Sequence, residues 1–446
     1  MTVHNPPTPQ ERATRRARGW AYGLLGMPLA FVALPLYIHA PHHYAQTMGV
    51  SLASLGLVLL LARALDALTD PWLGHWVDRW LNRSGIYAWT RMGWGCGALV
   101  LGVVALWYPP AAVSQHLAWW LLGSITLTSL GYSQLTIAHQ SWGARLSHHP
   151  VQRSQTMAWR EGWALLGVIS ASVLPSMVGW SAWIGVFITM LLVGMWGWRL
   201  SAQVPELVAM PVAGVPVGRR LMAHTHPWRQ AGFRRLLGVF VVSGLASAIP
   251  ATLVLFFIDD VLGLANWSGG FLAIYFLSAA LAMPAWPRIV KRLGLERTWA
   301  LGMALSVLSF AGAAGLETGQ ALAYAFICVG SGLALGADLA IPSALLAGLS
   351  RADTLSGPEP SADASGTYFG WWNLATKLNL ALAAGLGLPL LAWFGYRPDA
   401  SDAAGTDALV VVYAWVPCLL KLLALAMLRR WLWPAINPEK TERTAS

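Results

Sequence analysis

The sequence predicts an all-α, polytopic membrane protein, and this prediction depends on composition, on repeated apolar segments and on the placement of basic residues. Of the 446 residues, 56% are hydrophobic and only 11% are charged, whereas soluble domains carry about 25% charged residues. A single soluble core does not hide so much apolar surface. We therefore expect lipid to cover most of it.

Apolar segments of about 20 residues, the length that spans a bilayer, recur along the whole chain. We place twelve spans at residues 20–40, 49–74, 88–108, 116–138, 157–178, 181–203, 234–258, 267–290, 297–316, 320–346, 367–394 and 408–430. The polar residues 1–19 lead into the first span without a cleavage site, so we expect that span to be retained rather than removed as a signal peptide.

Basic residues test the number of spans independently, because short loops rich in Arg and Lys stay in the cytoplasm. With both termini inside, the predicted outward loops hold one of the 29 basic residues, Arg397. Clusters such as Arg79 with Arg83, and Arg12 with Arg15, fall on the inward side. An even number of spans with cytoplasmic termini follows, and the expected location is a bacterial inner membrane.

The longest polar connection, about 204–233, separates six spans from six. It contains four prolines and a run of Arg and His, a composition typical of a linker. We therefore expect an N-terminal six-helix half at 1–203, a cytoplasmic linker at 204–233 and a C-terminal half at 234–446. This layout is that of the major facilitator fold, whose two halves rock around a central site.

Several classes of protein are excluded by what the sequence lacks. The basic residues of the inward loops explain the net charge of +10. The sequence has no basic domain outside the membrane, so we do not expect it to bind nucleic acid. Three scattered cysteines fit no metal or redox motif. Without a Walker loop, an HExxH helix or a GxSxG elbow, we expect neither an enzyme nor any cofactor apart from a coupling ion.

Two acids in the second span are the most informative residues of the chain. A charge at membrane depth costs roughly 2.5–3.5 kcal/mol, so such acids usually mark ion or substrate pathways. Arg63, Asp66 and Asp70 are spaced i, i+3, i+7 and share one helical face. Pro71 follows directly. The stripe predicts a cation or proton site, although a static network that fixes helix contacts would have the same pattern.

The segment after these acids carries a second group of charges. Gly74, Asp78, Arg79 and Arg83 resemble the loop signature between helices two and three of major facilitator transporters. Asp78 is expected to cap the N-terminus of a neighbouring helix and to pair with an arginine, which would latch an inward gate. The alternative is that these arginines only anchor the topology.

The whole segment RALDALTDPWLGHWVDR (63–79) is similar to a narrower group, the glycoside–pentoside–hexuronide:cation symporters, a melibiose permease-like family of the major facilitator superfamily. Further similarity lies at 22–50, at 139–162, at 336–350 and at 366–391. The stretches in helices two and eleven are the most specific ones.

The resemblance implies roles for individual residues. Asp66 and Asp70 become cation-site carboxylates, with Thr69 close to them and Thr136 at a helix-four position that carries an aspartate in the melibiose permease. Lys377 matches the family's helix-eleven lysine and would neutralise the acidic pair from the opposite half. Arg160 matches a helix-five arginine near the sugar pocket.

Further residues are expected to line the substrate pathway. Trp372 and Asn373 share the inward part of helix eleven with Lys377, and Gln140 and Trp142 lie in the matched stretch at the helix four–five turn. Asp338, among small residues of helix ten, is either a pocket acid or the partner of a buried base.

The departures from the family pattern affect the substrate more than the fold. The helix-one aspartate that binds sugar hydroxyls is absent, and Gly26 and Met27 lie near its expected position. Arg145 occupies a position where an acid is common.

The sequence thus predicts a secondary transporter that moves a polar organic solute, such as a glycoside, pentoside or hexuronide, together with Na⁺ or H⁺. We expect it to act as a monomer in the lipid bilayer. The alternative is a proton-coupled carrier or exporter of an amphiphilic, lipid- or drug-like substrate, which the missing helix-one aspartate and the apolar, Trp-rich walls favour.

Overall fold

The computed structural model describes residues 19–83, 85–146, 149–201, 227–356, 363–393 and 403–433. The N-terminal arginine cluster, Arg397 and most of the predicted linker at 204–233 lie outside these residues.

The described residues contain no strand and form twelve long helical segments, which we number α1 to α12. Their bounds are Gly26–Leu34 with Ala40–Gln46 (α1, joined by a π-helical turn), Leu52–Leu81 (α2), Gly85–Trp107 (α3), Leu117–Arg145 (α4), Pro150–Met177 (α5), Trp180–Ser201 (α6), Ala231–Phe256 (α7), Ser268–Ala282 (α8), Leu295–Ala311 (α9), Ala321–Ser356 (α10), Ser365–Trp393 (α11), and Ala403–Val410 with Val416–Trp431 (α12, also joined by a π-helical turn). This confirms the predicted twelve-helix, all-α architecture.

Several helices extend beyond the apolar spans that predict them. α2 continues to Leu81 and α10 to Ser356, because a helix needs only backbone hydrogen bonds to continue into the polar region outside the bilayer. α8 ends earlier than predicted, at Ala282, and a separate short helix, Trp286–Leu293, follows it. Pro284 lies in the break, where a residue without an amide hydrogen cannot continue the ladder.

By length and composition, seven helices of the described chain can cross a membrane, and a shorter apolar helix at Gly19–Ala33 overlaps the start of α1. The criterion of length and composition finds fewer membrane-spanning helices than the fold has, and α4 shows why. It buries a series of polar side chains, among them Ser133, Gln134, Thr136 and Gln140, and their presence lowers its mean hydropathy. These polar faces are turned toward other helices rather than toward lipid.

The two groups of six helices meet where α2 packs against α11 and where α5 packs against α8 and α10. Glycines set the closest approach of α2 and α11. A Cβ on Gly74 would lie 2.3 Å from the carbonyl oxygen of Gly366, and one on Gly370 would lie 2.5 Å from that of Asp70. Only residues without a side chain allow the two backbones to come so close. The contact positions α11 directly over the acids of α2.

Candidate functional site

A lysine and two carboxylates form the centre of the site, and they come from helices of different halves. Lys377 of α11 places its Nζ 2.7 Å from Asp66 Oδ1 and 2.7 Å from Asp70 Oδ2, both on α2. Asp66 and Asp70 are 5% and 0% exposed, whereas Lys377 retains 22% exposure. The two acids are four residues apart, so one turn of α2 presents both to the same amine.

Ser133 of α4 completes the contacts of this lysine. Lys377 Nζ donates to Ser133 Oγ at 2.9 Å, and Ser133 Oγ donates in turn to Asp66 Oδ1 at 3.2 Å. Lys377 also contacts the backbone oxygen of Asp66 at 3.2 Å. Four oxygens therefore surround an amine that has three protons to donate. Ser133 was not among the predicted site residues, although it lies one helical turn before Thr136 on the same face.

The charges of this cluster do not cancel. Two carboxylates and one ammonium sum to a charge of −1 in a buried region, and buried charge is costly unless it is compensated. A monovalent cation or a proton would restore neutrality. The oxygen atoms around Lys377 are hard ligands, the type of atom to which alkali cations and protons bind. The arrangement can therefore exchange the lysine amine for a cation at the carboxylates.

The other residues predicted for the cation site lie near this cluster without contacting the amine. Thr69 Oγ1 donates to the backbone oxygen of Asp66 at 3.2 Å, so its hydroxyl is used within α2. Thr136 is buried in α4. Arg63 is exposed.

Asp78, one of the gate residues predicted at the end of α2, binds α11 as well. Asp78 is buried and accepts hydrogen bonds from the backbone amides of Gly366 at 2.6 Å and Thr367 at 2.7 Å, and from the Thr367 hydroxyl at 2.7 Å. These amides form the first turn of α11, where unpaired N–H groups and the helix dipole favour a carboxylate. Asp78 thus caps a helix of the opposite half.

The arginine beside Asp78 is not one of those in the predicted signature. Arg145 of α4 lies with Nη2 3.6 Å from Asp78 Oδ1, and its Nε lies 3.5 Å from Asp363 Oδ2. Arg79 is exposed, and Arg83 lies over the ring of Tyr87. The sequence predicts that Asp78 pairs with an arginine without saying which one, and in the structure that arginine is Arg145. That residue occupies the position where the family commonly has an acid.

The predicted substrate residues fall into separate places. Arg160 forms an ion pair with its neighbour Glu161, and both are almost buried, at 11% and 13% exposure. Tyr132 of α4 lies within electrostatic range of Arg160, Asp66 and Lys377. Glu161 was not among the predicted site residues. The same rule that singled out Asp66, an acid inside an apolar span, would have found it.

The remaining predicted residues are mostly engaged in packing. Gln140 is buried, and its Oε1 has no hydrogen-bond partner within the described chain. Trp142 packs on Trp198, with ring centroids 5.7 Å apart. Trp372 stacks on Phe240 of α7 at 3.7 Å. Asn373 is half-buried.

Asp338 has different surroundings. Its Oδ2 lies 2.6 Å from Lys421 Nζ, and its Oδ1 accepts from Trp299 Nε1 at 2.9 Å. Asp338 is thus the partner of a buried base within the last six helices. The structure does not bring it to the cluster around Lys377.

Comparison with known proteins gives this geometry a context. The sequence pattern of the family described as "MFS/sugar transport protein" matches residues 19–432. Two proteins of Escherichia coli K12 are similar in part. The inner membrane symporter YicJ is 28% identical over 160 residues, which are 35% of this chain and 33% of YicJ. YagG, whose name describes a glycoside/cation symporter, is 28% identical over 183 residues, 40% of this chain and 39% of YagG.

These alignments span about a third to two fifths of each relative's length. A solved structure resembles the chain over nearly all of it. The crystal structure of a bacterial homologue of the iron transporter ferroportin in its outward-facing state superposes with a TM-score of 0.65, covering 94% of this chain and 98% of that one at 14% identity. At such low identity the likeness shows the fold, which is that of major facilitator transporters.

Proposed function

Because the chain belongs to the MFS/sugar transport protein family, we propose that it couples a cation, Na⁺ or H⁺, to the movement of a polar organic solute by alternating access. The family makes the chain a secondary transporter of the membrane and not an enzyme. The proposal extends this to a symport mechanism and to a solute such as a glycoside, pentoside or hexuronide.

One observation carries the proposal: the amine of Lys377 bridges Asp66 and Asp70 at 2.7 Å each. The two carboxylates and the single amine sum to a charge of −1, which favours binding of a further cation. A cation that binds the acids competes with Lys377 for their oxygens. The lysine is on α11 and the acids are on α2, so this competition changes how strongly the two halves hold each other. A ligand shifts a conformational equilibrium by its differential affinity for the two states.

The direction of that shift follows from the second contact between α2 and α11. Asp78 caps α11 on the predicted cytoplasmic side, so the two halves are joined there. Binding of a cation at Asp66 and Asp70 releases Lys377, while Asp78 keeps the cytoplasmic side closed until the solute binds. Solute binding between the halves would then complete the change to the inward-open state.

The similarity to YicJ and YagG supports the choice of solute class. Arg160 and Gln140 are the residues of the first half that would contact hydroxyl or carboxylate groups of such a solute, because a guanidinium donates hydrogen bonds and an amide both donates and accepts them.

The experiment is solute uptake into proteoliposomes with an imposed Na⁺ or H⁺ gradient, with a panel of glycosides, pentosides and hexuronides. The wild type is expected to accumulate one class of these solutes when one of the two gradients is present. Asp66→Asn and Asp70→Asn are expected to lose accumulation. Asp259→Asn, an exposed acid at the end of α7, serves as the matched control.

Accumulation of an amphiphilic substrate, and of none of the sugars, would instead establish the alternative function, a proton-coupled carrier or exporter. Unchanged gradient-driven uptake by both Asp→Asn variants would overturn the symport mechanism whichever the solute is.

A further inference from the structure

A second buried ion pair lies in the last six helices, away from the cluster around Lys377. Lys421 of α12 donates to Asp338 Oδ2 at 2.6 Å, to Ser243 Oγ at 2.8 Å and to Ser247 Oγ at 3.0 Å. The backbone oxygen of Ser243 lies at 3.2 Å as a fourth acceptor, so all three protons of the amine are used. Trp299 donates to the other carboxylate oxygen at 2.9 Å. One carboxylate and one ammonium balance each other, so this pair, unlike the first cluster, does not require a cation.

A cavity of about 160 Å³ opens beside this pair, and its lining residues lie between positions 246 and 421. The walls therefore come from the last six helices alone, and none of Asp66, Asp70 and Lys377 takes part. Asp338 and Lys421 both line it, with 14% and 4% of their side chains exposed. Six aromatic rings form much of the wall: Phe271, Tyr275, Phe276, Phe310, Tyr324 and Tyr413.

The size of the cavity limits what it can hold. An engineered cavity of about 150 Å³ in an apolar protein core binds benzene, so this one accepts a single aromatic ring with a small substituent. The surrounding rings favour an aromatic guest, because offset and edge-to-face contacts between aromatic groups add to the burial of apolar surface.

The polar end of the cavity limits the chemistry further. A carboxylate has about four acceptor sites, and Trp299 and Lys421 use two of those on Asp338. The lysine has no proton to spare. A guest that donates one hydrogen bond therefore fits, whereas a charged guest would bring an uncompensated charge beside an already balanced pair, which is costly in a buried place.

We propose that this cavity is a second small-molecule site, which binds a neutral, single-ring aromatic molecule with a hydroxyl group, a phenol or an aryl alcohol. The hydroxyl donates to Asp338, and the ring lies among Phe271, Tyr275 and Phe310. The site is independent of the proposed cation symport, because the two clusters share no residue.

The test is equilibrium binding to the full-length protein in lipid nanodiscs, where acyl chains already compete for apolar cavities. The probes are phenol, toluene and benzylammonium. Phenol is expected to bind about ten-fold more tightly than toluene, the effect of one hydrogen bond to a charged acceptor, and benzylammonium is expected to bind more weakly than phenol. Equal affinities for phenol and toluene, or stronger binding of benzylammonium, would overturn the proposal.

Variants assign the binding to the cavity. Ser306→Phe fills the cavity from α9 and is expected to abolish phenol binding, while Ser172→Phe on the exposed side of α5 is the matched control. If Ser306→Phe fails to fold, Val307→Trp fills the same space. Retention of phenol binding by a folded cavity-filling variant would contradict the assignment.

A further variant tests the role of the ion pair. Asp338→Leu combined with Lys421→Met removes both charges together, because loss of one alone leaves a buried charge unpaired. This variant is expected to lose the preference for phenol over toluene, and persistence of the preference would exclude Asp338 as the acceptor. Asp66→Asn is expected to bind phenol as the wild type does, so failure of this site is distinguishable from failure of the symport mechanism.

Discussion

The amine of Lys377 lies 2.7 Å from Oδ2 of Asp70, a fully buried carboxylate on a helix of the opposite half. The same two helices are joined again at Asp78, which caps α11. Asp66 and Asp78 are separated by about 18 Å along α2, at 1.5 Å per residue. One pair of helices therefore carries both the candidate cation site and the candidate gate, so a change at the first can affect the second without a long chain of intermediates.

Replacement of Lys377 by methionine is predicted to raise the affinity for the coupling cation. In the wild type the cation must displace an amine from Asp66 and Asp70, whereas in Lys377→Met the carboxylates have no internal competitor. A cation titration followed by thermal unfolding measures this, since a ligand that binds only the folded state stabilises it by RT ln(1 + [L]/Kd). We expect the dissociation constant of the cation, Na⁺ or the proton, to fall by about ten-fold or more.

The same variant is predicted to lose gradient-driven accumulation, because a cation that binds without displacing anything no longer changes the contact between α2 and α11. Lys291→Met, on the short helix after α8, is the control. An unchanged cation affinity in Lys377→Met would show that the lysine and the cation do not share the carboxylates.

Substitution of Gly370 by alanine is predicted to separate α2 from α11. The added Cβ would lie 2.5 Å from the backbone oxygen of Asp70, a distance that requires the helices to move apart. Overpacking of this kind costs about 1–3 kcal/mol, and here it also pulls Lys377 from its acids. We expect a lower melting temperature and a loss of transport.

Gly385→Ala on the same helix is the matched control, because a Cβ there meets nothing within 4 Å. Alanine in that exposed position is expected to leave transport unchanged and to stabilise the helix slightly. Equal behaviour of the two variants would show that the close approach at Gly370 does not matter.

Loss of the carboxylate at Asp78 is predicted to weaken closure of the predicted cytoplasmic side. Asp78→Asn keeps the size of the side chain but removes the charge that the first turn of α11 favours, an interaction of about 0.5–2 kcal/mol. The population of the inward-open state should rise accordingly. Distances between spin labels at the cytoplasmic ends of α2 and α11 measure it.

Arg83→Gln is the control for the gate, because Arg83 lies over Tyr87 rather than beside Asp78. Should Asp78→Asn and Arg83→Gln give the same distribution of distances, the positive charges of this segment would serve as topology anchors only.

Removal of the Ser133 hydroxyl is predicted to weaken cation binding moderately. Ser133 donates to Asp66 and accepts from Lys377, so Ser133→Ala removes one oxygen from the cluster and leaves both acids in place. A loss of about 0.5–1.5 kcal/mol corresponds to a several-fold higher cation concentration for half-maximal uptake. Thr69→Ala, whose hydroxyl bonds only to the α2 backbone in the described contacts, should change the value less.

The sequence alone identified the twelve helices and the shared face of Asp66 and Asp70, because both depend on patterns that one helix carries by itself. Apolar length predicts a span, and i, i+4 spacing predicts a shared face. The match of Lys377 to a known helix-eleven lysine supplied the partner.

What the sequence did not predict depends on how helices fit against each other. Arg145 reaches Asp78 because α4 lies beside the end of α2, and no spacing within either helix indicates this. The same holds for Ser133, which contacts Lys377 only because α4 and α11 both pack on α2. The cavity beside Asp338 is likewise a gap between five helices, and a one-dimensional pattern does not describe gaps.

The most direct test of the central claim is cation-dependent stabilisation of the purified protein, compared between the wild type, Asp66→Asn, Asp70→Asn and the control Asp259→Asn. If Asp66 and Asp70 bind the coupling cation, one cation raises the melting temperature of the wild type and of Asp259→Asn and leaves that of the two α2 variants unchanged. A full cation response in Asp66→Asn and Asp70→Asn would contradict the account.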